Sequence, residues 1–531
     1  MCPVLLLLLA AFGPESQFAA ALPENSTGQR FFVVYPENIA YYHPTPPQNR
    51  VRITALFNNT VVGIRQYTYN YTEYTLNSGE SNEYAVDARL ELTRSNISNG
   101  TLQITSTSAI TVQAISVRNG SMQTALVIPA DRLGTSYRPP PIPNIPGTTD
   151  VDLSLYVTER APFRLMILNA DRANTVTVAG ATTQVLQLQP NQTAQVWLQP
   201  DALPTVTAEL PVSVAFGHSC AMRDNCTCGL LYTPLLPVPG GNQDFPVPPS
   251  GSAYDTSLLL SGPSSVVPLD PNSLRVRSSG SVVLYLPGLL LPLTAESSFG
   301  SCFVVNRIND TQTFAVVLVD KDHTDGVHAG KAALPNPQWA ALPGTDYVWT
   351  RFEVLNTCFI WHSSLTMAVY FGGTNGNGSL FGNPAPVIST FPDYRGCVLT
   401  PEVLLIGEQA MGWPESVQYC RNRTLELISI SSTPFQAQTY QNILQTKSSS
   451  VQDMWIGLRR SSQTGDWYWL NTDPVTDTDW DVGEPGDVDA GQCTMMSLNG
   501  TSFPWSDEDC CQPAFPICYG KPVLLQPTVL V

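Results

Sequence analysis

The chain has 531 residues and a net charge of −17, from 26 Lys and Arg against 43 Asp and Glu. At 43% hydrophobic and 13% charged it can bury a sizeable core, which excludes disorder by low hydrophobicity, and its scarce cations exclude nucleic acid as a partner. Charged residues at about half the ~25% of ordinary globular chains, together with 45 prolines, point outside the cell.

The N-terminus carries an apolar run, Val4–Phe12, followed by Ala19-Ala20-Ala21. It is too short to span a membrane and suits a secretory signal at residues 1–21, although no Lys or Arg precedes it; an apolar first strand is the alternative. No later segment is long and apolar enough for a spanning helix, since Val523–Val531 is short and broken by Pro527. Residues 30–373 read as strands throughout. Thr101–Thr105, Ala109–Val117, Thr175–Val178, Val185–Gln189 and Pro211–Phe216 alternate with period two, and Pro-rich breaks at Arg138–Pro143 and Pro234–Pro249 cannot join a sheet interior. Ser108–Ala114, Leu210–Phe216 and Ser364–Tyr370 look like one strand used three times, which predicts three related sandwich-like units. The Gly-rich stretch Gly372–Gly382 opens an expected linker at 374–392.

The grammar then changes. Trp413-Pro414-Glu415 starts a helix with Pro and an acid in its first turn, and Leu425–Ile430 reads as a strand. A second helix begins with Thr433 as N-cap and Pro434 as N1, with Ile443 and Leu444 facing inward. Twelve Asn-x-Ser/Thr sequons run from Asn25 to Asn499 and mark a sugar-coated surface. Without Cys2 of the signal, eleven cysteines remain, which read as disulfides with one odd thiol, either free or joined to another chain as a disulfide-linked dimer.

Two stretches carry family resemblances. Ser108–Val117 with Ala125–Pro129 and Leu133–Tyr137, Pro211–Ala221 with Cys226 downstream, and Tyr347–Gly373 are similar to the N-terminal domain of the IgGFc-binding protein family. That resemblance implies a secreted, mucus- or matrix-associated module and does not transfer antibody binding. From Cys397 to Lys521, the helix at Trp413–Cys420, Met454-Trp455-Ile456-Gly457-Leu458, Trp467-Tyr468-Trp469, Trp480, Gly483-Glu484-Pro485, Cys493, Trp505-Ser506-Asp507, Cys510 and Cys518 resemble a C-type lectin domain in the same order. The whole is therefore expected to be multidomain: an all-β, sandwich-like N-terminal region, then an α+β C-type lectin-like domain at 393–521 and a tail at 522–531.

The lectin resemblance implies Cys420–Cys518 and Cys493–Cys510 bridges, with Trp455, Trp467, Trp469 and Trp505 as core rather than sugar-stacking residues. It also implies calcium as candidate cofactor, held by oxygen ligands of one loop and one strand while two sugar hydroxyls complete the shell. Where the family reads Glu-Pro-Asn or Gln-Pro-Asp, this chain has Glu484-Pro485-Gly486, with Pro485 as the candidate cis proline. Gly491 stands where the family places an acid, and Ser506 where it places Asn. Glu484, Asp507 and Asp489 are the metal candidates, and Glu484, Gly486, Asp487, Asp489, Ser506 and Asp507 the ligand candidates; Asp481 is a further acid nearby. Three altered ligand positions predict weakened calcium. The expected partners are glycans or glycoproteins; the alternative is a calcium-independent scaffold that binds proteins. Surplus Cys397 and Cys511 are expected to reach each other.

No hydrolase, zincin or P-loop motif occurs, so no enzyme is expected. Asp320–Gly326 resembles a calcium loop with wrong spacing and reads as a β-turn. His323 and His328 are the alternative zinc pair, and His218 reads as a packed partner beside a disulfide.

Overall fold

A computed structural model describes residues 26–40, 45–66, 70–93, 97–145, 163–198, 204–224, 227–238, 241–249, 256–262, 264–446, 451–487, 491–498 and 502–526. The expected signal at 1–21, Asn25, Asn96, Asn225, Cys226, Asp489 and Asn499 lie outside them. The chain forms two compact units, Met1–Val398 with Leu525–Val531, and Leu399–Leu524.

The larger unit is built of antiparallel sheets, apart from one short parallel pair, Tyr35–Pro36 with Glu91–Leu92. In the first, the 17-residue strand Leu102–Arg118 pairs with Gly28–Val33, Gln48–Ala55, Thr60–Gln66 and Ser121–Leu126. In the second, the 20-residue strand Thr205–Asp224 pairs with Gly134–Tyr137, Arg164–Asn169, Asn174–Ala179 and Thr227–Pro234. The first two copies of the repeated strand thus sit in equivalent places, each inside the long strand of its own sheet. The third copy contributes Ala368–Asn375, which pairs with Thr311–Asp320 and Leu380–Pro384. Alternation works as expected: Ile104, Ile110 and Val112 of the first long strand and Val206, Val212 and Val214 of the second are buried. Each such side chain contributes roughly 1.5–3 kcal/mol.

The expected linker at 374–392 carries strands instead, Leu380–Pro384 and Val387–Ser389 among them. The glycines just before it mark close strand approach: a Cβ on Gly373 would overlap the Gln312 carbonyl, and one on Gly372 would come within 2.7 Å of the Phe381 oxygen. Cys397 bonds Cys302 at 95 residues' separation, not Cys511, which is exposed and free, as Cys358 is free and half-buried. Strand Cys302–Val305 pairs with Cys358–His362 on one side and with the edge strand Val387–Ser389 on the other, which brings the following segment back to Cys302. Cys220 bonds Cys228. Buried His218 accepts a hydrogen bond at Nδ1 from the Cys220 N–H (3.1 Å) and lies edge-on to Phe163, beside that bridge. Asp320–Gly326 is a turn, where Asp320 accepts from the Asp322 N–H, while His328 stacks on Trp361. The eight described sequon asparagines are all exposed.

The smaller unit holds the two helices. Strand β1 is Val403–Ile406; helix α1 is Trp413–Arg421, with Pro414 and Glu415 in its first turn; helix α2 is Thr433–Thr446. Strands β2 Asp453–Arg460, β3 Trp467–Trp469, β4 Cys493–Ser497, β5 Trp505–Glu508 and β6 Phe515–Gly520 follow. Helix α2 starts one residue earlier than expected: the Ser432 carbonyl accepts from the Gln436 N–H, and the Thr433 hydroxyl donates to Asp477 (3.0 Å) instead of capping. Trp455, Trp469 and Trp505 are buried, and Trp505 meets Trp469 edge-on at 5.6 Å. Cys420–Cys518 and Cys493–Cys510 bridges staple α1 to β6 and β4 to the turn before β6.

Candidate functional site

Between β3 and β4 the described chain runs without a strand until Trp480 bridges Trp505 of β5. Reciprocal backbone bonds fix this contact, Asp481 N–H to the Trp505 carbonyl (2.9 Å) and Trp505 N–H to the Asp479 carbonyl (2.8 Å). The chain then turns outward through Gly483, whose φ of +92° suits glycine, and the fully exposed Val482. The Glu484–Pro485 peptide bond is cis.

The turn returns onto β5 at Asp507. The Gly486 N–H donates to Asp507 Oδ1 (2.6 Å) and to Glu484 Oε2 (3.2 Å). Hydrogen bonding to Asp507, and secondarily burial, holds the Glu484 carboxyl above its usual range. Asp507 is buried, and its Oδ2 has no hydrogen-bond partner. Asp487 is exposed, and Asp481 accepts from the Val482 N–H at its own turn. Ser506 donates its hydroxyl to Glu508 (3.0 Å). Of the sequence-predicted set the structure brings together Glu484, Gly486 and Asp507, leaves Asp487 at the rim, and turns the Ser506 hydroxyl to Glu508.

Gly491 has a steric reason to be glycine. A Cβ there would collide with the backbone of Asp507 and Glu508, so β5 leaves no room for an acid. Arg460, at the end of β2, was not among the expected site residues, although an Arg459-Arg460 pair in a chain this poor in cations is a visible signal. Its Nη1 donates to the Gly486 carbonyl (3.3 Å) and lies 3.9 Å from Asp507 Oδ2.

These residues do not fit a calcium ion. A hard cation wants 6–8 oxygen ligands. Here an N–H points at both carboxylates, the Gly491 position is closed to a side chain, and a guanidinium faces Asp507. Among the described residues, no group of three or more His, Cys, Asp or Glu is arranged to hold a metal, at the turn of Asp320–Gly326 or elsewhere. No described helix is long and apolar enough to cross a membrane.

Residues 409–520 match the family model described as Lectin C-type domain. The chain is 30% identical over 109 residues to the human protein "C-type lectin domain family 17, member A", covering 20% of this chain and 27% of that one. It is 24% identical over 393 residues to human "IgGFc-binding protein", covering 64% of this chain and 7% of the relative. Among solved structures it is similar to the cow C-type carbohydrate-recognition domain of CD23 in the presence of GlcNAc2Man3 oligosaccharide, at 26% identity and TM-score 0.20, covering 22% of this chain and 87% of that one. The chain thus holds a C-type lectin domain at 409–520 behind a mostly β region distantly similar to IgGFc-binding protein, and both point to a non-catalytic binding protein. C-type lectin domains can bind calcium; the described residues show no such site.

Proposed function

We propose that the C-terminal domain recognises carbohydrate, as free glycans or on glycoproteins of a cell surface, mucus or matrix, in defence or adhesion, and that the β region carries it. The supporting observation is the Trp480–Asp487 turn within the lectin match. Its backbone is tied to β5 through Asp507, while Val482 and Asp487 stand in solvent. A fixed turn with exposed carboxylate and apolar groups can offer acceptors to vicinal hydroxyls and a contact for the sugar's apolar face without ordering itself on binding. The contact surface is Glu484, Gly486, Asp487 and Ser506, with Asp507 beneath it, and Asp489 belongs to the same loop by sequence. The signal at 1–21, the exposed sequons and the four disulfides support secretion into an oxidising compartment. The incomplete calcium set favours a second reading, in which the same face binds a protein surface.

Retention of the full chain on mannose, galactose and mucin columns tests this. Sugar recognition gives retention competed by free sugar and weakened about tenfold by Asp487→Lys at unchanged melting temperature. Retention on deglycosylated mucin that free sugar does not compete supports the protein-binding reading. Sugar-competed retention that Asp487→Lys leaves intact moves the site elsewhere.

A further inference from the structure

We infer that the Arg460 guanidinium is the resident cation of the Glu484–Asp507 carboxylate pair, so that this face is assembled and recognises its ligand without calcium. The inference rests on the proposed site, but its test reads metal and stability directly.

The first observation is the orphaned oxygen. The Asp507 side chain is 0% exposed, its Oδ1 is taken by the Gly486 N–H, and Oδ2 is buried with no hydrogen bond. A buried carboxylate needs a compensating charge nearby. Among the described residues the positive group facing Oδ2 is Arg460 Nη1 at 3.9 Å.

The second observation is how Arg460 is held. Its side chain is 15% exposed; Nε donates to the Gly465 carbonyl (3.2 Å) and Nη1 to the Gly486 carbonyl (3.3 Å). Its guanidinium lies 5.5 Å from the Trp467 ring centroid, and its backbone N–H donates to the Gln492 carbonyl (2.9 Å). It therefore collects two loop carbonyls and one carboxylate, the oxygen types a calcium ion would collect, and ties the 461–465 turn to the 484–487 turn and to β5. Unlike an ion it is covalently attached, always charged and unable to dissociate into a chelator. Among the described residues, the Gly486 N–H and the closed Gly491 position withdraw two of the places from which oxygens could complete a metal shell.

The experiment uses the EDTA-treated full chain and calcium alone as the probe. Equilibrium dialysis against calcium up to about 10 mM, above the range of weak extracellular modules, gives no stoichiometric binding, and melting is the same in calcium and EDTA. Arg460→Met lowers the melting temperature of the C-terminal unit and opens the 461–487 segment to protease. Adding Asp507→Asn to Arg460→Met restores part of the loss, because the two positions are coupled through one charge pair. One calcium bound per chain with a rise in melting temperature overturns the inference, and so do additive effects of the two substitutions. Sugar retention is scored separately, so a chain that binds no sugar yet shows this coupling refutes the proposed function and leaves the resident cation standing.

Discussion

The two units reach a stable fold by different means. In the larger one, strands of 17 and 20 residues run through whole sheets and bury alternating aliphatic residues, so the core is a continuous product of strand pairing. In the smaller one the longest described strand has 8 residues, and buried tryptophans with two disulfides take the place of extended pairing. Polar groups divide in the same way. The larger unit buries Arg164 against Gln195 and Ser219 and buries His218 unprotonated, within a polar cluster of its own. The smaller unit keeps its buried carboxylate, Asp507, directly under the turn that faces solvent. The sheet-built unit holds its polar groups inside, whereas the lectin unit places its buried carboxylate under a loop.

That contrast can be broken most directly through the staples. Cys420→Ser with Cys518→Ser frees a loop of 98 residues and removes roughly 4–5 kcal/mol. Cys220→Ser with Cys228→Ser frees a separation of only 8, costs roughly 2–3 kcal/mol, and should leave the larger unit folded. Calorimetry of the full chain should show the lectin-unit transition collapsing in the first variant and both transitions surviving in the second. Equal losses would remove the distinction between sheet-built and stapled cores.

Acid sharpens the contrast. Burial pushes the His218 imidazole down to about 3, with Arg164 adding to the effect, and burial also lowers His362. A base with a depressed folded pKa lends stability that is complete above its unfolded value near 6.5 and is lost as pH falls. For His218 the loss is roughly 1.4 kcal/mol per pH unit below that value, and it stops near its folded pKa. Glu91, raised to about 7 chiefly by burial, runs the other way: its contribution is complete below about 4.5 and is lost as pH rises through 7. Glu91→Gln should therefore expose the histidine slope, and the larger unit's transition should fall between pH 6.5 and 4.5. Residues 399–524 contain no histidine, so the lectin-unit transition should not fall with it.

Smaller effects probe the site. Gly491→Asp installs the acid that the lectin resemblance leads one to expect, but it meets the β5 backbone. It should cost about 1–3 kcal/mol by overpacking, with no calcium-dependent gain in melting temperature. Smallest is Cys511→Ser, within about 0.5 kcal/mol of wild type, which should abolish any disulfide-linked dimer on a non-reducing gel. A dimer that persists would move the intermolecular bond to Cys226 or Cys358.

Much of the fold was legible in the residues. Period-two alternation in Ser108–Ala114 and Leu210–Phe216 marks strands wherever one face is buried, and Pro414-Glu415 opens a helix by a local rule. The lectin landmarks Trp455, Cys493, Trp505 and Cys510 identify their domain because each is a bulky or covalent element of one core. Two features were not legible because they depend on residues far apart in the chain. Glycines at 372, 373 and 382 read locally as a linker and are instead the points where neighbouring strands come closest. Cys397 looked like a lectin cysteine until the pairing of Cys302–Val305 with Val387–Ser389 brought it back to Cys302.

The candidate site divides along the same line. Sequence by itself determined which groups could do chemistry, namely Glu484, Asp487 and Asp507 with too few companions for a calcium shell, because ligand count and charge are properties of composition. Tertiary structure alone decided what those groups face. Gly491 is closed by the β5 backbone, Ser506 turns to Glu508, and Arg460, more than twenty residues from either carboxylate in the chain, stands 3.9 Å from Asp507. Charge compensation acts over a few ångströms of space, so it is set by where the sheet places β2 against β5 and not by spacing along the chain.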